Sequence, residues 1–223
     1  MKETDLHVQA GSDLSPLTRD MVLEQRGYIE AYIRRFPEFA STLNPWALAD
    51  PAPAIVGDMI AAGNTAGVGP MAAVAGAIAE HVGRGLLAHT REVIIENGGD
   101  IFLQTAEAAT VAVWAGHSPL SLRIGIRTGG QNDPIAVCTS SGTVGHSLSF
   151  GRADAVCVTA RSCALADAAA TAIGNRIHSK LDIPTGVELA KRIAGVLGVV
   201  IVVADQMGAW GAVEVVVFDR KKS

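Results

Sequence analysis

The stretch Glu92-Val93-Ile94-Ile95-Glu96-Asn97-Gly98-Gly99-Asp100-Ile101-Phe102-Leu103-Gln104 changes the period of the chain. Glu92–Glu96 and Ile101–Gln104 read as short strands, joined by a turn whose paired glycines tolerate positive φ. Before this hairpin the apolar spacing is helical. From Ser15 to Phe36 it follows Leu17, Met21, Leu23, Tyr28, Ile29, Tyr32 and Ile33 and is stopped by Pro37. A helix is expected from Pro53 to Gly63, and another from Pro70 to Leu87, after the glycine turn Ala66-Gly67-Val68-Gly69-Pro70. After the hairpin, strands are expected at Thr110–Ala115, Leu122–Ile126, Ile135–Thr139 and Ala155–Ala160, then helices at Ser162–Ile177 and Gly186–Gly195. Two strands, Val199–Ala204 and Ala212–Phe218, close the chain, with a loop carrying Gly208 and Gly211 between them. Helices and strands come in runs rather than alternating singly, so the class is α+β, not a doubly wound parallel sheet. The order recurs as two halves, about 16–127 and 128–223, with no linker between them. One domain is expected.

Composition narrows the function. Of 223 residues, 49% are apolar and 18% charged, which excludes disorder. Aromatics are only 4%, so the core must rest on Ala and Gly packing. A net charge of -4 with no long basic run excludes a duplex nucleic-acid binder. Residues 59–79 are apolar but too rich in glycine, and too poor in Leu, Ile and Phe, for a membrane span. The polar start is no signal peptide, and Cys138, Cys157 and Cys163 form no CxxC pair, so buried reduced thiols in a cytosolic protein are expected.

Four constellations could carry chemistry. The turn Gly63–Met71 is either an ordinary helix–helix turn or an anion cradle. Asn97, Gly98, Gly99 and Asp100 are either a plain hairpin or a bare backbone laid against a flat ligand. The loop following Thr139, Ser140, Ser141, Gly142 and Thr143, with His146 and Asp154 beyond, is rich in hydroxyls. It is a connector, a ligand cradle, or a site with a serine nucleophile and His146 as base, although no G-x-S-x-G elbow is present. Asp167 and Thr171 are four apart on one helix face among alanines. An acid there is either a helix-start residue accepting backbone N–H groups or, with the hydroxyl, an oxygen pair suited to Mg²⁺. The six histidines are dispersed and show no zinc pattern.

The ordered set Gly67–Gly76, Glu96–Ile101, Thr139–Ser147 and Ala166–Thr171 resembles an uncharacterised cytosolic branch of the ApbE-like superfamily. That superfamily includes the FAD:protein FMN transferases, once called thiamine-biosynthesis lipoproteins. The resemblance implies a duplicated T-fold-like domain of antiparallel sheets packed with helices. It also implies a flavin site at Gly98, Gly99, Asp100 and Thr139–Gly142, and a Mg²⁺ site at Asp167 and Thr171. The transferases carry Lys in a Gly-x-x-Lys-Gly helix start, where this chain has Ala75 before Gly76. Their His-x-x-Asp-Pro-x-Thr-Gly segment is absent, His146 being followed by Ser147-Leu148-Ser149-Phe150-Gly151. What is expected is a Mg²⁺-dependent protein binding FAD or another nucleotide, a transferase or pyrophosphate-cleaving enzyme with His146 in acid/base work. The alternatives are a sensor or carrier that keeps the pocket and, less favoured, a serine hydrolase. The expected partner is a small nucleotide-type ligand, with no nucleic acid or membrane; a homo-oligomer is compatible with the sequence.

Overall fold

The computed structural model describes residues 4–47, 51–130, 133–143 and 150–218. Strand β1 (Leu6–Ala10) leads into helices α1 (Ser15–Arg35), α2 (Ala54–Ala66) and α3 (Val74–Leu86). Strands β2 (Val93–Asn97), β3 (Asp100–Gln104), β4 (Ala109–Ala112), β5 (Ile124–Thr128), β6 (Ile135–Ser140) and β7 (Ala155–Ala160) follow. Then come α4 (Cys163–Gly174), α5 (Ile183–Arg192), β8 (Val196–Val203), β9 (Gln206–Gly211) and β10 (Glu214–Val217). The class is α+β, as expected. Seven strands form one antiparallel sheet in the order β1-β2-β3-β6-β7-β8-β9, and β10-β5-β4 form a second.

Alternation along the central strands sets the layers. Ala136 and Cys138 of β6, Val156 and Val158 of β7, and Val199 and Ile201 of β8 face the helices. Ile135 and Val137, Ala155 and Cys157, and Val200 and Val202 face the small sheet, against Val113, Ile124 and Ile126. Both faces are dry, so these strands read as unbroken apolar runs. Helix α3 lies on β2 and β3, α4 on β6 and β7, and α5 on β8 and β9, while α1 and α2 pack outside α3 and α4. Alanine dominates α4 because it is enclosed between α2 and the sheet, where larger side chains would hold the layers apart. Among the described residues no helix is long and apolar enough to cross a membrane.

Two expectations need correction. The helix expected over Pro70–Leu87 is divided: Pro70–Ala73 is a 3₁₀ turn and α3 begins at Val74. The segment taken for a loop around Gly208 and Gly211 is strand β9, paired to β8 from Val203↔Gln206 to Gly198↔Gly211. Its glycines mark close approach rather than a turn, because a Cβ at Gly208 would overlap Ile183 at the start of α5.

Phe102 on β3 is fully buried beneath α3, with the Arg84 guanidinium 5.7 Å from its ring centroid. Phe102→Ala is expected to cost about 3–5 kcal/mol. Urea unfolding should show this as a lower midpoint with an unchanged slope.

Candidate functional site

The site is built where α3 meets α4. Gly76 lies in the first turn of α3, and any Cβ there would overlap the Cys163 carbonyl and crowd the Asp167 side chain. The missing side chain brings the backbones together, and each helix then caps the other. Asp167 Oδ2 accepts the Gly76 N–H at 2.9 Å, at the start of α3. Glu80, one turn further along α3, accepts from Cys163 N at 2.7 Å and Ser162 Oγ at 3.1 Å, at the start of α4. Residue 167 meets 76 and residue 163 meets 80, so the helices run antiparallel here. Both carboxylates sit at positive helix ends. The other Glu80 oxygen holds Arg84 at 2.8 and 2.9 Å, which balances its charge.

Beneath this contact the β2–β3 hairpin delivers two polar side chains to the helix face. The turn holds Gly98 at φ 65°, and Asn97 pairs with Asp100 across it. Both are buried. The Asn97 amide donates to Ala75 O at 3.0 Å and so fixes the residue before Gly76. Asp100 pairs in register with Cys138, whose sulfur lies 3.4 Å from that of Cys163. All three cysteines are free and buried. Burial pushes the Cys163 thiol up to about 11 and the Cys138 thiol well above its ordinary range, so both stay neutral and are not nucleophiles.

Asp100 is the anomaly. It is 7% exposed, and its Oδ1 is buried with no hydrogen-bond partner. Desolvation pushes its carboxyl up to about 7, only partly offset by the Cys138 thiol and the Thr139 amide. The amide's own bond is to Gly99 O, at 2.9 Å. Asp167 keeps some surface open to solvent, yet protein crowds its carboxyl. Desolvation first, and then the Asp100 charge, raise it well above the usual carboxylate range, against the Gly76 and Ala75 amides. Two acids therefore face each other with one oxygen unsatisfied. Either a proton or a cation must make up the deficit.

The expected site residues divide as follows. Asn97, Asp100 and Asp167 converge, and Thr171 follows Asp167 one turn along α4, half-buried. Gly98 is exposed at the hairpin tip, and Gly99 lies so close to the Thr139 carbonyl that a Cβ would crowd it. Ser140 is buried and shares the helix face with Cys138. Thr139 does not: its hydroxyl turns to the other face and meets Cys157 Sγ at 3.2 Å. Ser141 and Thr143 bond to each other, and Thr143 Oγ1 donates to Asp154 at 3.2 Å, with Gly142 N bonded to Ala153 O. The second Asp154 oxygen accepts Ala204 N at 2.6 Å, so this acid is tied to the loop and to the end of β8. His146 lies outside the described residues. The glycine turn before α3 is a packing device, its Gly69 pressed against the Thr42 carbonyl.

Sequence reasoning missed Glu80, the packing role of Gly76 and the thiol pair. A signal existed for Glu80, an acid following the apolar run Ala77–Ala79 and four residues before Arg84. Among the described residues no three His, Cys, Asp or Glu side chains converge as a metal cluster. A hard ion here would need the two carboxylates completed by hydroxyl, carbonyl or ligand oxygens, as Mg²⁺ accepts.

This α+β arrangement matches solved flavin transferases. It aligns with flavinyl transferase ApbE of Pseudomonas stutzeri at TM-score 0.56 and 12% identity, covering 93% of this chain and 94% of that one. A mutant of flavin transferase ApbE from Vibrio cholerae aligns at TM-score 0.59 and 12% identity, covering 94% of each chain. At such identity the likeness is one of fold. The chain itself belongs to the family described as AbpE bacteria, which matches residues 1–194. It is 41% identical to a UPF0280 protein of Methanococcus aeolicus over 95% of this chain and 88% of that one. A UPF0280 protein of Methanocella arvoryzae is also 41% identical, over 95% and 86%.

The two raised carboxyls have a consequence for stability. Folded, the chain holds protons that the unfolded chain releases near pH 4, so without a cation stability falls as pH rises from about 4 through about 7. Asp100→Asn removes one share of that loss. In EDTA its Tm is expected to exceed the parental value at about pH 8 and to match it at about pH 4. Equal Tm differences at both pH values would show that Asp100 is not proton-bound in the folded chain.

Proposed function

We propose that the chain binds a flavin or related nucleotide through a divalent cation, Mg²⁺, and acts on the pyrophosphate or its flavin end as a transferase or cleaving enzyme. The observation that carries this is the unpartnered Asp100 Oδ1, nine-tenths buried and beside the Asp167 carboxyl. A neutral core would not retain two such acids side by side. Asp167 and Thr171, with Asp100, are the residues that would hold the ion. A bound Mg²⁺ supplies charge to the phosphate oxygens of the ligand as negative charge develops on them.

The chain's own residues do the rest. Gly76 and Ala75 N–H groups orient Asp167, and Asn97 fixes Ala75 by its carbonyl. Gly98 and Gly99 leave the hairpin tip bare for a flat ligand, and Ser140 offers a hydroxyl to phosphate or ribose, backed by the Ser141, Gly142 and Thr143 turn that Ala153 and Asp154 hold in shape. His146 is assigned acid/base work. We further read the chain as one domain of two pseudo-repeat halves, 16–127 and 128–223. The mutual capping of α3 and α4, one from each half, supports that reading. A carrier or sensor is the second reading, favoured by Ala75 standing where the resembling transferases place Lys.

Thermal shift separates these readings from no binding at all. Mg²⁺ with FAD is expected to raise the Tm, by mass action, above either alone. Release of FMN or AMP from FAD, lost in Asp167→Ala, would select the enzyme. A shift without turnover would select the carrier, and no shift with FAD, FMN or ATP in any combination with Mg²⁺ would remove both.

A further inference from the structure

The large sheet ends at β1, and among the described residues no strand pairs with its outer edge. The inner edge is paired to β2 without a slip from Leu6↔Asn97 to Ala10↔Val93, so every second residue turns its N–H and C=O outward. Leu6–Ala10 has none of the devices that usually blunt an edge: no proline, no lysine and no bulge. At the opposite end of the sheet, β9 is interrupted by Gly208 and Gly211 and runs straight on into β10.

Beside the free edge lies an open trough of about 1180 Å³, walled on its far side by the first turns of α1 through Leu14, Thr18 and Val22. It follows the whole of β1 and reaches Gly98 at the hairpin tip. The smaller hollow between α1 and α3, about 330 Å³, opens beside Asn97 and belongs to the site already described. The trough exceeds the roughly 300–1,000 Å³ usual for a small-molecule site, and its floor is a bare strand edge, which takes up extended chain by strand addition. Its two sides differ. Leu6 and Val8 pack to the helix side, where Leu14 and Val22 form the wall. On the other side Glu96 of β2 stands opposite His7, and Asp5 lies at the hairpin end of the strand. The trough sets Asp5, Asp13 and Glu96 against the Arg19 guanidinium, an acidic balance. A second copy would bring acidic trough against acidic trough, and like charges oppose that pairing.

We propose that this trough takes an extended, basic segment of a partner protein, added to the sheet beside β1. Main-chain bonds to the outward groups of β1 give the affinity, and alternate side chains give the choice of partner. Successive residues of a strand point to opposite sides, so apolar residues of the guest meet Leu14 and Val22 while the Lys or Arg between them meet Glu96 and Asp5. A guest strand as long as β1 spans about 17 Å and ends beside Gly98. The proposal adds a protein partner to the small ligand and uses neither the carboxylate pair nor a cation.

The test uses a short fluorescein-labelled peptide of alternating valine and lysine, followed by anisotropy without nucleotide or Mg²⁺. It is expected to bind the parental chain, and to bind the double variant Asp5→Lys, Glu96→Lys about tenfold or more weakly. The same peptide N-methylated throughout keeps its side chains and charge but has no N–H to donate. Its binding is expected to fall by a similar factor, and since the protein is unaltered in that comparison, a folding defect cannot explain the loss. Absence of binding by the lysine peptide, equal binding of the N-methylated form, or undiminished binding to the double variant overturns the proposal. A parental chain that sediments as a dimer and excludes the peptide would put a second copy in the trough, which overturns it as well. No nucleotide or cation enters these measurements, so a failure here leaves the ligand reading untouched, and the failure of that reading leaves the trough standing.

Discussion

Two helices that cap each other's beginnings are the constraint on which the rest is arranged. Asp167 reaches the first turn of α3, and Glu80 reaches the first amides of α4. Neither bond forms unless Gly76 lets the backbones meet. The same contact sets the spacing of α3 and α4 on the sheet and decides which strands lie beneath them. Asp100 rises under this contact from the β2–β3 hairpin, which is why an acid so poorly satisfied is held in place at all. Its environment is set by the helix packing above it, and the local hairpin alone could not produce it.

The two carboxylates in the contact have different circumstances. Glu80 is offset by Arg84 and spends its oxygens on backbone and hydroxyl donors. Asp167 has amides alone, and Asp100 keeps an oxygen with no partner. Charge is therefore balanced at one end of the helix pair and unbalanced at the other. The unbalanced end lies next to Asn97 and the hollow between α1 and α3, so electrostatic need and available space fall together.

Much of this was legible in the sequence, for identifiable reasons. The hairpin at Asn97–Asp100, the apolar strands β6 to β8 and the alanine-rich α4 all have local signatures. The pairing of Asp167 with Thr171 follows from helical spacing alone. Strand β9 was not legible, because Gly208 and Gly211 signal a turn unless one knows that α5 presses on the first and the β8 backbone on the second. The side-chain direction of Thr139 depended on the register of β6 against β7, a tertiary fact. Glu80 has only the local signature of an i,i+4 partner for Arg84, and it is α4, packed against it, that buries it.

The hairpin tip has a further meaning for which changes of length the chain can bear. Asn97 and Asp100 point to one face because two residues separate them and the strands are in register. A single inserted residue within either strand would send one of them to the opposite side of the sheet, among the aliphatic side chains above β4 and β5. Among the described residues, the connections on that other side, around β4 and β5, make no hydrogen bond to the polar groups beneath α3 and α4. Insertions and deletions among diverging relatives should therefore gather there, leaving the count of residues from Val93 to Gln104 fixed.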